Sequence, residues 1–328
     1  MSANTQERIL VTGGAGFIGY HVCQKLLESG KKVIIIDNFN NYYEPKLKED
    51  RIKQLSDKSY NDKNLSVYKA DISNFNKIKD IIKKNPIDKI CHLAAQAGVR
   101  YSITNPFLYE KSNILGTLNM LEIARQFKIK DFIFASSSSV YGNNKKFPFS
   151  ESDSIDHPIS LYAATKKSTE LMAYTYHHLY GINCTGLRFF TVYGPWGRPD
   201  MSYMSFTKAI LEGKPIKVYN NGDMQRDFTY VEDIVPGVVA ALEKSYPYEI
   251  FNLGNSKSVK LINFIKCVEK LLGKSAKKIL LPMQQGDVLK TFADINKAKT
   301  MLGYNPKTDI EEGIRRFIKW YKEYYMPK

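Results

Sequence analysis

The stretch from Ser136 to Lys166 concentrates the residue types that can move a proton. It opens with four consecutive serines, Ser136 to Ser139, and after a proline-bearing loop it reaches Tyr162 and Lys166. A tyrosine and a lysine four residues apart lie on one face of a helix, so the ammonium group can favour the ionised phenol. A phenolate beside a serine hydroxyl could act as a general base.

The spacing Tyr-x-x-x-Lys carries little information by itself, because the chain contains 22 tyrosines and is rich in lysine. The other pairs at this spacing are Tyr42/Lys46, Tyr141/Lys145 and Tyr324/Lys328. The first meets a proline, the second straddles a Gly-Asn-Asn turn, and the third ends the chain. Only Tyr162 and Lys166 open a long helical pattern directly after a hydroxyl cluster, so the elements that precede the pair decide its meaning.

A cofactor-binding pattern lies near the N-terminus. The apolar stretch from Arg8 to Thr12 predicts a strand, and it runs directly into Gly13-Gly14-Ala15-Gly16-Phe17-Ile18-Gly19. A helical pattern follows and ends at Gly30, and a second apolar stretch ends in Asp37. A strand, a glycine-rich turn, a helix and an acidic residue in this order predict a dinucleotide-binding unit.

Each residue of this unit has its own physical task. Gly13 permits the tight turn, Gly16 lets the backbone approach a pyrophosphate at the helix N-terminus, and Gly19 allows close packing of helix and strand. Asp37 can accept hydrogen bonds from ribose hydroxyls and would repel a 2′-phosphate, and no arginine follows it. The sequence therefore predicts NAD rather than NADP as the cofactor.

Strand and helix patterns continue to alternate through the first 190 residues. They predict an α/β fold with a Rossmann-type, doubly wound parallel sheet and helices on both faces. Ligands bind such sheets at the carboxyl ends of the strands. The residues that fall at these ends are Gly13, Asp37, Asp71, Ala94 and Ser137.

The pattern loosens after Phe190 into a loop rich in glycine and proline. Helices then mix with short strands, which predicts a smaller α/β cap interleaved with the end of the nucleotide domain. The expected NAD-binding domain spans residues 1–190 and about 223–253, and the expected substrate-binding cap spans about 191–222 and 254–328. Within the first domain, the pattern predicts one long helix from Thr104 to Phe127.

Composition limits the class of protein. With 43% hydrophobic and 25% charged residues in 328, the chain resembles a soluble globular protein. We find no leader pattern and no apolar run long enough for a bilayer, which predicts a cytoplasmic protein without a membrane partner. The cysteines are separated and apolar in context, so reduced thiols are expected at Cys23, Cys91, Cys184 and Cys267.

The net charge of +15 does not by itself indicate nucleic-acid binding. The excess is mostly lysine scattered through helices, without an arginine-rich run or an aromatic RNA-binding signature, so no nucleic-acid partner is expected. An anionic substrate accounts for part of the charge. The neighbours His177 and His178 point to different helix faces, so no metal site is expected either.

Taken together, the glycine-rich turn, the serine cluster and the Tyr-x-x-x-Lys pair resemble an extended short-chain dehydrogenase/reductase over nearly the whole chain. Three stretches are most similar to UDP-glucuronate 4-epimerases: HLAAQAGVRYS at 92–102, RFFTVYGPWGRPDM at 188–201 and RDFTYVED at 226–233. One departure is Gln285, where the family's pattern has proline before Gly286.

The resemblance implies roles for particular residues. Ser137 takes the position of the catalytic hydroxyl with Ser138 as the alternative donor, Tyr162 is the base, and Lys166 holds the nicotinamide ribose and lowers the pKa of Tyr162. The implied NAD-binding residues are Gly13, Gly16, Phe17, Ile18, Gly19, Asp37, Asn38, Asp71, Ile72, Leu93, Ala94, Ala95, Asn113, Tyr162, Lys166 and Phe189. The implied UDP-sugar-binding residues are Arg100, Ser137, Thr191, Arg198, Val218, Tyr219, Arg226 and Asp287. The helices predicted around Thr104–Phe127 and Leu161–Tyr180 resemble the pair that forms a homodimer interface in the family.

The residues before Val-Tyr-Gly separate epimerases from their sister enzymes. Dehydratases and decarboxylases of this fold carry acidic residues there, whereas this chain has Ser138 and Ser139. The implied reaction is interconversion of UDP-glucuronate and UDP-galacturonate through a 4-keto sugar and transient NADH. A neutral UDP-hexose 4-epimerase, a UDP-glucuronate decarboxylase and a non-catalytic NAD-binding scaffold remain as alternatives.

An acidic substrate needs a group that restrains its carboxylate, because a 4-keto uronate is a β-keto acid that loses CO2 readily. We expect Thr191, Arg198 and Arg100 to recognise or steer that carboxylate, arginine being suited to paired hydrogen bonds. The alternative is that Arg198 and Arg100 make surface or diphosphate contacts.

Overall fold

The computed structural model describes residues 6–57 and 64–327. Lys328, part of one Tyr-x-x-x-Lys pair, lies outside the described residues. The strands in the described chain are β1 (Arg8–Thr12), β2 (Lys32–Asp37), β3 (Leu65–Lys69), β4 (Lys89–His92), β5 (Asp131–Ser137), β6 (Asn183–Phe189), β7 (Thr191–Tyr193), β8 (Ile216–Tyr219), β9 (Gln225–Tyr230), β10 (Tyr248–Leu253), β11 (Ser258–Lys260) and β12 (Lys278–Leu281).

Helices separate most of these strands. They are α1 (Phe17–Glu28), α2 (Pro45–Asp57), α3 (Phe75–Lys84), α4 (Tyr101–Thr104), α5 (Pro106–Tyr109), α6 (Gly116–Gln126), α7 (Leu161–Tyr180), α8 (Ser202–Leu211), α9 (Val231–Glu243), α10 (Leu261–Leu272), α11 (Asn296–Leu302) and α12 (Ile310–Tyr325). A π-helical segment, Glu110–Leu115, joins α5 to α6.

Seven parallel strands form the main sheet in the order β10-β6-β5-β4-β1-β2-β3. The strands are largely buried apolar runs, as expected for a parallel sheet covered on both faces. Neighbouring residues of one strand lie on opposite faces of the sheet. Val11 packs with α1 and α9, and Leu10 packs with α3 and α6. The predicted Rossmann-type sheet is confirmed, and its carboxyl edge brings Thr12, Asp37 and Ser137 together.

Two small sheets form the cap, β11-β9-β7 and β12-β8. Their core is rich in aromatic side chains, with Phe228 stacked on Phe264 at 4.5 Å between ring centroids. Because β9 pairs within the cap, part of the segment 223–253 lies outside the main sheet. Conversely, α11 packs against β10 and α9 of the nucleotide half. The domain boundaries stay a prediction.

The start of one predicted helix is wrong. The helix expected from Thr104 to Phe127 begins at Pro106 and follows a separate short turn, Tyr101–Thr104. Proline lacks the backbone N–H that a helix interior needs but fits the first helical position, so it sets the start. The sequence patterns did not predict α2, which also begins at a proline, Pro45.

Candidate active site

A cavity of about 1180 Å³ lies at the carboxyl ends of the main-sheet strands, with the cap on its other side. Its wall includes the glycine turn after β1, the serines at the end of β5 and the start of α7. The cap contributes β7, β8 and β9 with the loop at 286–288. This is the position at which open parallel sheets bind ligands.

The glycine turn forms a close-fitting cradle at the N-terminus of α1. Gly13 has φ of +71°, a conformation that glycine adopts without strain. A Cβ at Gly16 would lie 2.9 Å from the Gly13 carbonyl oxygen, and one at Gly19 would lie 2.1 Å from the same oxygen. These positions exclude side chains, and Gly16, Phe17 and Ile18 line the cavity at the start of α1, which fits a dinucleotide pyrophosphate.

Asp37 lies buried at the end of β2, beside this cradle. Its carboxylate accepts hydrogen bonds from the backbone N–H of Ala15 (3.1 Å) and of Phe39 (2.9 Å). Burial raises the pKa of Asp37, while these hydrogen bonds and the charges of Lys48 and Arg51 oppose the rise. The fixed carboxylate can accept further hydrogen bonds from ribose hydroxyls, as the predicted preference for NAD requires.

Arg51, which the sequence patterns did not single out, joins the two sides of the cavity. This fully buried guanidinium donates to the carbonyls of Ala15 (2.8 Å) and Trp196 (2.6 Å) and to the Tyr43 hydroxyl (2.7 Å). It ties the glycine turn to the loop that carries Arg198. The helix α2, which carries Arg51, could have been predicted from Pro45, because proline fits the first turn of a helix.

The proposed catalytic groups meet where β5 ends and α7 begins. Ser160 caps α7 by accepting a hydrogen bond from Ala163 N–H (3.1 Å), which places Tyr162 in the first turn. One turn further, Lys166 Nζ donates to the carbonyl of Ala135 (2.8 Å). The Ser137 hydroxyl donates to the Ser139 hydroxyl (3.1 Å) and lies near enough to Tyr162 to favour its ionised form. The structure thus brings together the serine, tyrosine and lysine singled out from the sequence.

Burial shifts the pKa values of both Tyr162 and Lys166 at this end. Burial raises the pKa of Tyr162, and the groups that oppose this rise are the Ser137 hydroxyl and the positive charge of Arg198. Burial also lowers the pKa of Lys166 to about 8, against the opposing charge of Glu170. Lys166 is not among the groups that oppose the rise in the Tyr162 pKa, and its ammonium group donates to the Ala135 carbonyl, so a lowering of the Tyr162 pKa by Lys166 stays a prediction.

A second charged cluster lies where the cap meets the loop between β4 and α4. The carboxylate of Asp287 pairs with Arg226 (3.4 Å) and with Arg100 (3.2 Å), and the Arg100 guanidinium lies 5.0 Å from the centre of the Tyr219 ring. Four residues expected to bind substrate therefore form one group. Gln285, the departure from the family's pattern, is exposed, and Gly286 and Asp287 provide the cavity wall beside it.

Arg198 belongs to the catalytic end of the cavity. Its Nε and Nη2 pair with the two oxygens of Asp200 (3.1 and 2.9 Å), and Asp200 also accepts a hydrogen bond from Tyr42 (3.1 Å). Since Arg198 acts on Tyr162 whereas Arg100 pairs with Asp287, the structure separates two arginines that were expected to share one task.

Most residues expected at the site line the cavity, but two do not. Asn113 is buried behind the wall, where it accepts a hydrogen bond from Gln96 N–H (2.8 Å) and donates to Thr165 (3.0 Å). Val218 is buried in the cap core. The expected residues on the wall are Gly13, Gly16, Phe17, Ile18, Gly19, Asp37, Asn38, Asp71, Ile72, Leu93, Ala94, Ala95, Arg100, Ser137, Ser138, Tyr162, Lys166, Phe189, Thr191, Arg198, Tyr219, Arg226 and Asp287.

The acidic side chains on the described cavity wall are all engaged elsewhere. They are the aspartates Asp37, Asp71, Asp200 and Asp287. Asp71 accepts hydrogen bonds from Ser73, and the other three have the partners described above. Three serine side chains, Ser137 to Ser139, occupy the wall beside Tyr162 instead of a carboxylate.

Residues 6–57 and 64–327 hold no group of three or more His, Cys, Asp or Glu side chains arranged to bind a metal ion. None of the helices in this part of the chain combines the length and apolar character needed to cross a bilayer.

Comparisons with known proteins agree with this geometry. Residues 10–317 match the family described as GDP-mannose 4,6-dehydratase. An uncharacterized protein of Methanocaldococcus jannaschii is 57% identical over 97% of both chains, and a UDP-glucuronate 4-epimerase of Thermodesulfobacterium geofontis is 48% identical over 96% of both. The structure of UDP-glucuronic acid 4-epimerase from Bacillus cereus, in complex with UDP-glucuronic acid and NAD, superposes with a TM-score of 0.90 at 38% identity, covering 96% of this chain and 99% of that one.

The chain therefore belongs to the GDP-mannose 4,6-dehydratase family, within the extended short-chain dehydrogenases/reductases that the sequence motifs indicated. In that family it is similar to the UDP-glucuronate 4-epimerases over nearly its full length, so the predicted resemblance is confirmed.

Proposed function

We propose that this protein is an NAD-dependent 4-epimerase that interconverts UDP-glucuronate and UDP-galacturonate. The observation that carries the proposal is the serine cluster beside Tyr162, on a described wall whose aspartates are engaged elsewhere. The family's name describes a dehydration, which needs acidic groups to move protons at C5 and C6 of the sugar. Hydroxyls in their place leave proton transfer at O4.

NAD fits the cradle and the fixed carboxylate of Asp37, and when bound it accepts the C4 hydride and later returns it. Tyr162 accepts the proton of the sugar 4-hydroxyl, and Ser137 hydrogen-bonds the reacting oxygen. Lys166, one helical turn away, holds the nicotinamide ribose and brings a positive charge to this end of the cavity. These residue roles are proposals that the geometry supports.

We further propose that Arg198 holds the sugar carboxylate and that Arg100 and Arg226 hold the diphosphate. Arg198 lies within electrostatic reach of Tyr162, where the sugar ring must lie for proton transfer. Arg100 and Arg226 share the cap carboxylate of Asp287, so their two guanidinium groups already converge on one anionic position. A bound carboxylate keeps the β-keto acid from losing CO2.

Proton NMR of the NAD-loaded protein with UDP-glucuronate tests the proposed function. The expected product is UDP-galacturonate, seen as the change of the H4 coupling that follows inversion at C4. Release of CO2 with formation of UDP-xylose would identify a decarboxylase. Turnover of UDP-glucose but not UDP-glucuronate would identify a neutral epimerase, and retention of NAD without turnover of either sugar would identify a scaffold.

We also propose a homodimer, formed through α5, α6 and α7. Large apolar side chains are exposed along these helices, and Phe107 is 84% exposed. The other such residues on these helices and their π-helical junction are Leu108, Leu115, Leu118, Leu161, Leu171, Tyr174, Leu179 and Tyr180. Exposed apolar side chains in this number suit an interaction site.

Sedimentation velocity at micromolar concentration should show a species of twice the chain mass, and Phe107→Asp combined with Leu171→Asp should halve it. A monomer-sized wild-type species contradicts the dimer. Action in the cytoplasm remains a prediction, in keeping with the buried free thiols of Cys23, Cys91 and Cys184.

A further inference from the structure

A buried ion pair lies directly behind the proposed catalytic groups. Glu170 on α7 and Arg188 on β6 are both almost fully buried, and Nε and Nη2 of Arg188 donate to the two carboxylate oxygens at 2.9 Å each. The Ser136 hydroxyl donates to Glu170 at 2.6 Å. None of the mechanistic roles proposed above uses this pair.

Glu170 and Lys166 lie one turn apart on α7 and hold consecutive residues of β5. Lys166 donates to the carbonyl of Ala135, and Glu170 accepts from the hydroxyl of Ser136. Ser137 follows directly in the strand. The two side chains therefore fix the register between the strand that presents the serine and the helix that presents Tyr162.

The ion pair also reaches the turn after the serines. Arg188 Nη1 donates to the Tyr141 hydroxyl (2.8 Å), which in turn donates to Oδ1 of Asn252 on β10 (2.7 Å). Tyr141 closes the short turn that begins at Ser138. One hydrogen-bonded network thus joins every element that presents Ser137, Ser138, Tyr162 and Lys166.

Stability alone is a weak reason for such a network. Burying two charges is costly, and replacing a buried pair by apolar residues is often neutral or stabilising. Lys166, by contrast, needs a counter-charge, because burial lowers its pKa to about 8 and Glu170 is the group that opposes this shift.

The surroundings of Lys166 identify Glu170 as the source of that charge. The titratable groups that act on Lys166 or Glu170 from other elements are His92 on β4, Arg188 on β6 and Tyr248 on β10, and Tyr141 after β5 acts on Arg188. His92 is neutral at physiological pH because burial lowers its pKa to about 3. The two tyrosines are neutral as well, since burial raises their pKa values.

We propose that Glu170 is a positioning residue that keeps Lys166 charged and in place beneath Tyr162, with Arg188 and Ser136 holding its carboxylate. The proposal rests on the proposed function for the roles of Lys166 and Tyr162. It makes Glu170 part of the proton-transfer apparatus although it does not line the cavity.

The test compares wild type with Glu170→Gln, which keeps shape but removes the negative charge. The dissociation constant of NAD⁺ is measured from pH 6 to 10, together with the pH profile of kcat. In the variant, the alkaline loss of NAD⁺ affinity and of kcat should move to lower pH by about one unit, a tenfold change in the protonation equilibrium. A folded variant with both wild-type profiles would overturn the proposal.

Loss of stability must be separated from loss of charge. The double variant Glu170→Gln/Arg188→Met leaves no unpaired buried charge, so its thermal midpoint should lie closer to that of wild type than the midpoint of Glu170→Gln does. In this double variant, the alkaline loss of NAD⁺ affinity and of kcat should nevertheless stay at lower pH than in wild type. If both stability and the wild-type pH profile return, Glu170 is only half of a structural pair and the proposal fails.

Tyr304→Phe provides the matched control. It removes another buried hydrogen bond, from the Tyr304 hydroxyl to the Gly254 carbonyl (2.9 Å), without touching the network. It should lower stability and leave both pH profiles unchanged. Since NAD⁺ binding needs no UDP sugar, failure of the proposed function would not alter that measurement, and the two proposals fail independently.

Discussion

The catalytic end and the cap end of the cavity handle charge in opposite ways. At the catalytic end Glu170 and Arg188 are buried, and their hydrogen bonds link four elements of the fold. At the cap end Arg100, whose side chain is 55% exposed, pairs directly with Asp287 at 3.2 Å. Buried networks of fixed partners hold geometry, whereas exposed pairs are weak and exchange easily.

This difference corresponds to two tasks. Proton transfer at O4 needs Tyr162 and Ser137 in one fixed geometry, but a nucleotide must enter and leave through the cap.

The largest effect is expected at the catalytic end. Tyr162→Phe keeps the ring and removes the group that accepts the proton, so kcat for epimerisation should fall by about 10²- to 10⁴-fold. NAD⁺ affinity and the thermal midpoint should change little, since the hydroxyl is not part of the core. Product appearance by proton NMR measures the rate, and activity within threefold of wild type would remove Tyr162 from its role.

An intermediate effect is expected at the cap. Arg226→Ala removes charge-assisted hydrogen bonds of about 1.5–3 kcal/mol, so KM for the UDP sugar should rise about tenfold to a hundredfold while kcat is largely kept. Arg100→Ala should raise KM less, because its side chain is more exposed.

Added salt also tests the difference between the catalytic end and the cap end of the cavity. Raising ionic strength should increase KM of the wild type more than it changes kcat, because exposed charges are screened. A fall in kcat without a change in KM for Arg226→Ala would show that the cap takes part in catalysis.

The smallest effect at neutral pH concerns His92, which hydrogen-bonds Thr12 (2.8 Å) and Thr117 (3.1 Å) inside the nucleotide half. Its pKa falls to about 3 in the folded chain, below the value of about 6.5 when unfolded. The unfolded chain therefore binds more protons between these values, and the free energy of unfolding should decrease as pH falls from 6.5, by up to about 1.4 kcal/mol per pH unit.

Urea unfolding at pH 7, 6 and 5 measures this slope. His92→Gln cannot take up the proton, so its stability should depend less steeply on pH over that range, by close to one proton. Equal slopes in wild type and variant would show that His92 titrates normally in the fold.

Local patterns in the sequence predicted the elements that depend on local physics. The long helical pattern that opens with Tyr162 and Lys166 is confirmed as the helix Leu161–Tyr180, because Ser160 and Gly181 provide its caps. The strand Gln225–Tyr230 was not predicted, since its buried residues include the polar Asp227, whose partners are distant in the chain.

The residues of the candidate site also divide into those that local spacing predicts and those that depend on distant partners. The glycine turn and the pair Tyr162 and Lys166 could be predicted from spacing, and the NAD-dependent epimerase that they indicated agrees with the family. Arg51 and Tyr42 could not, because their partners Trp196 and Asp200 lie about 150 residues away and meet them only in the folded chain.

The packing of Trp196 gives the protein an optical signal of its own. The chain contains two tryptophans, and Trp196 lies 5.3 Å from Trp320 between ring centroids, on the loop that Arg51 ties to the glycine turn. Intrinsic tryptophan emission therefore arises from one region, where the loop that carries Trp196 and Arg198 contacts α12. A change in that emission when a UDP sugar is added reports movement of this loop without any attached dye.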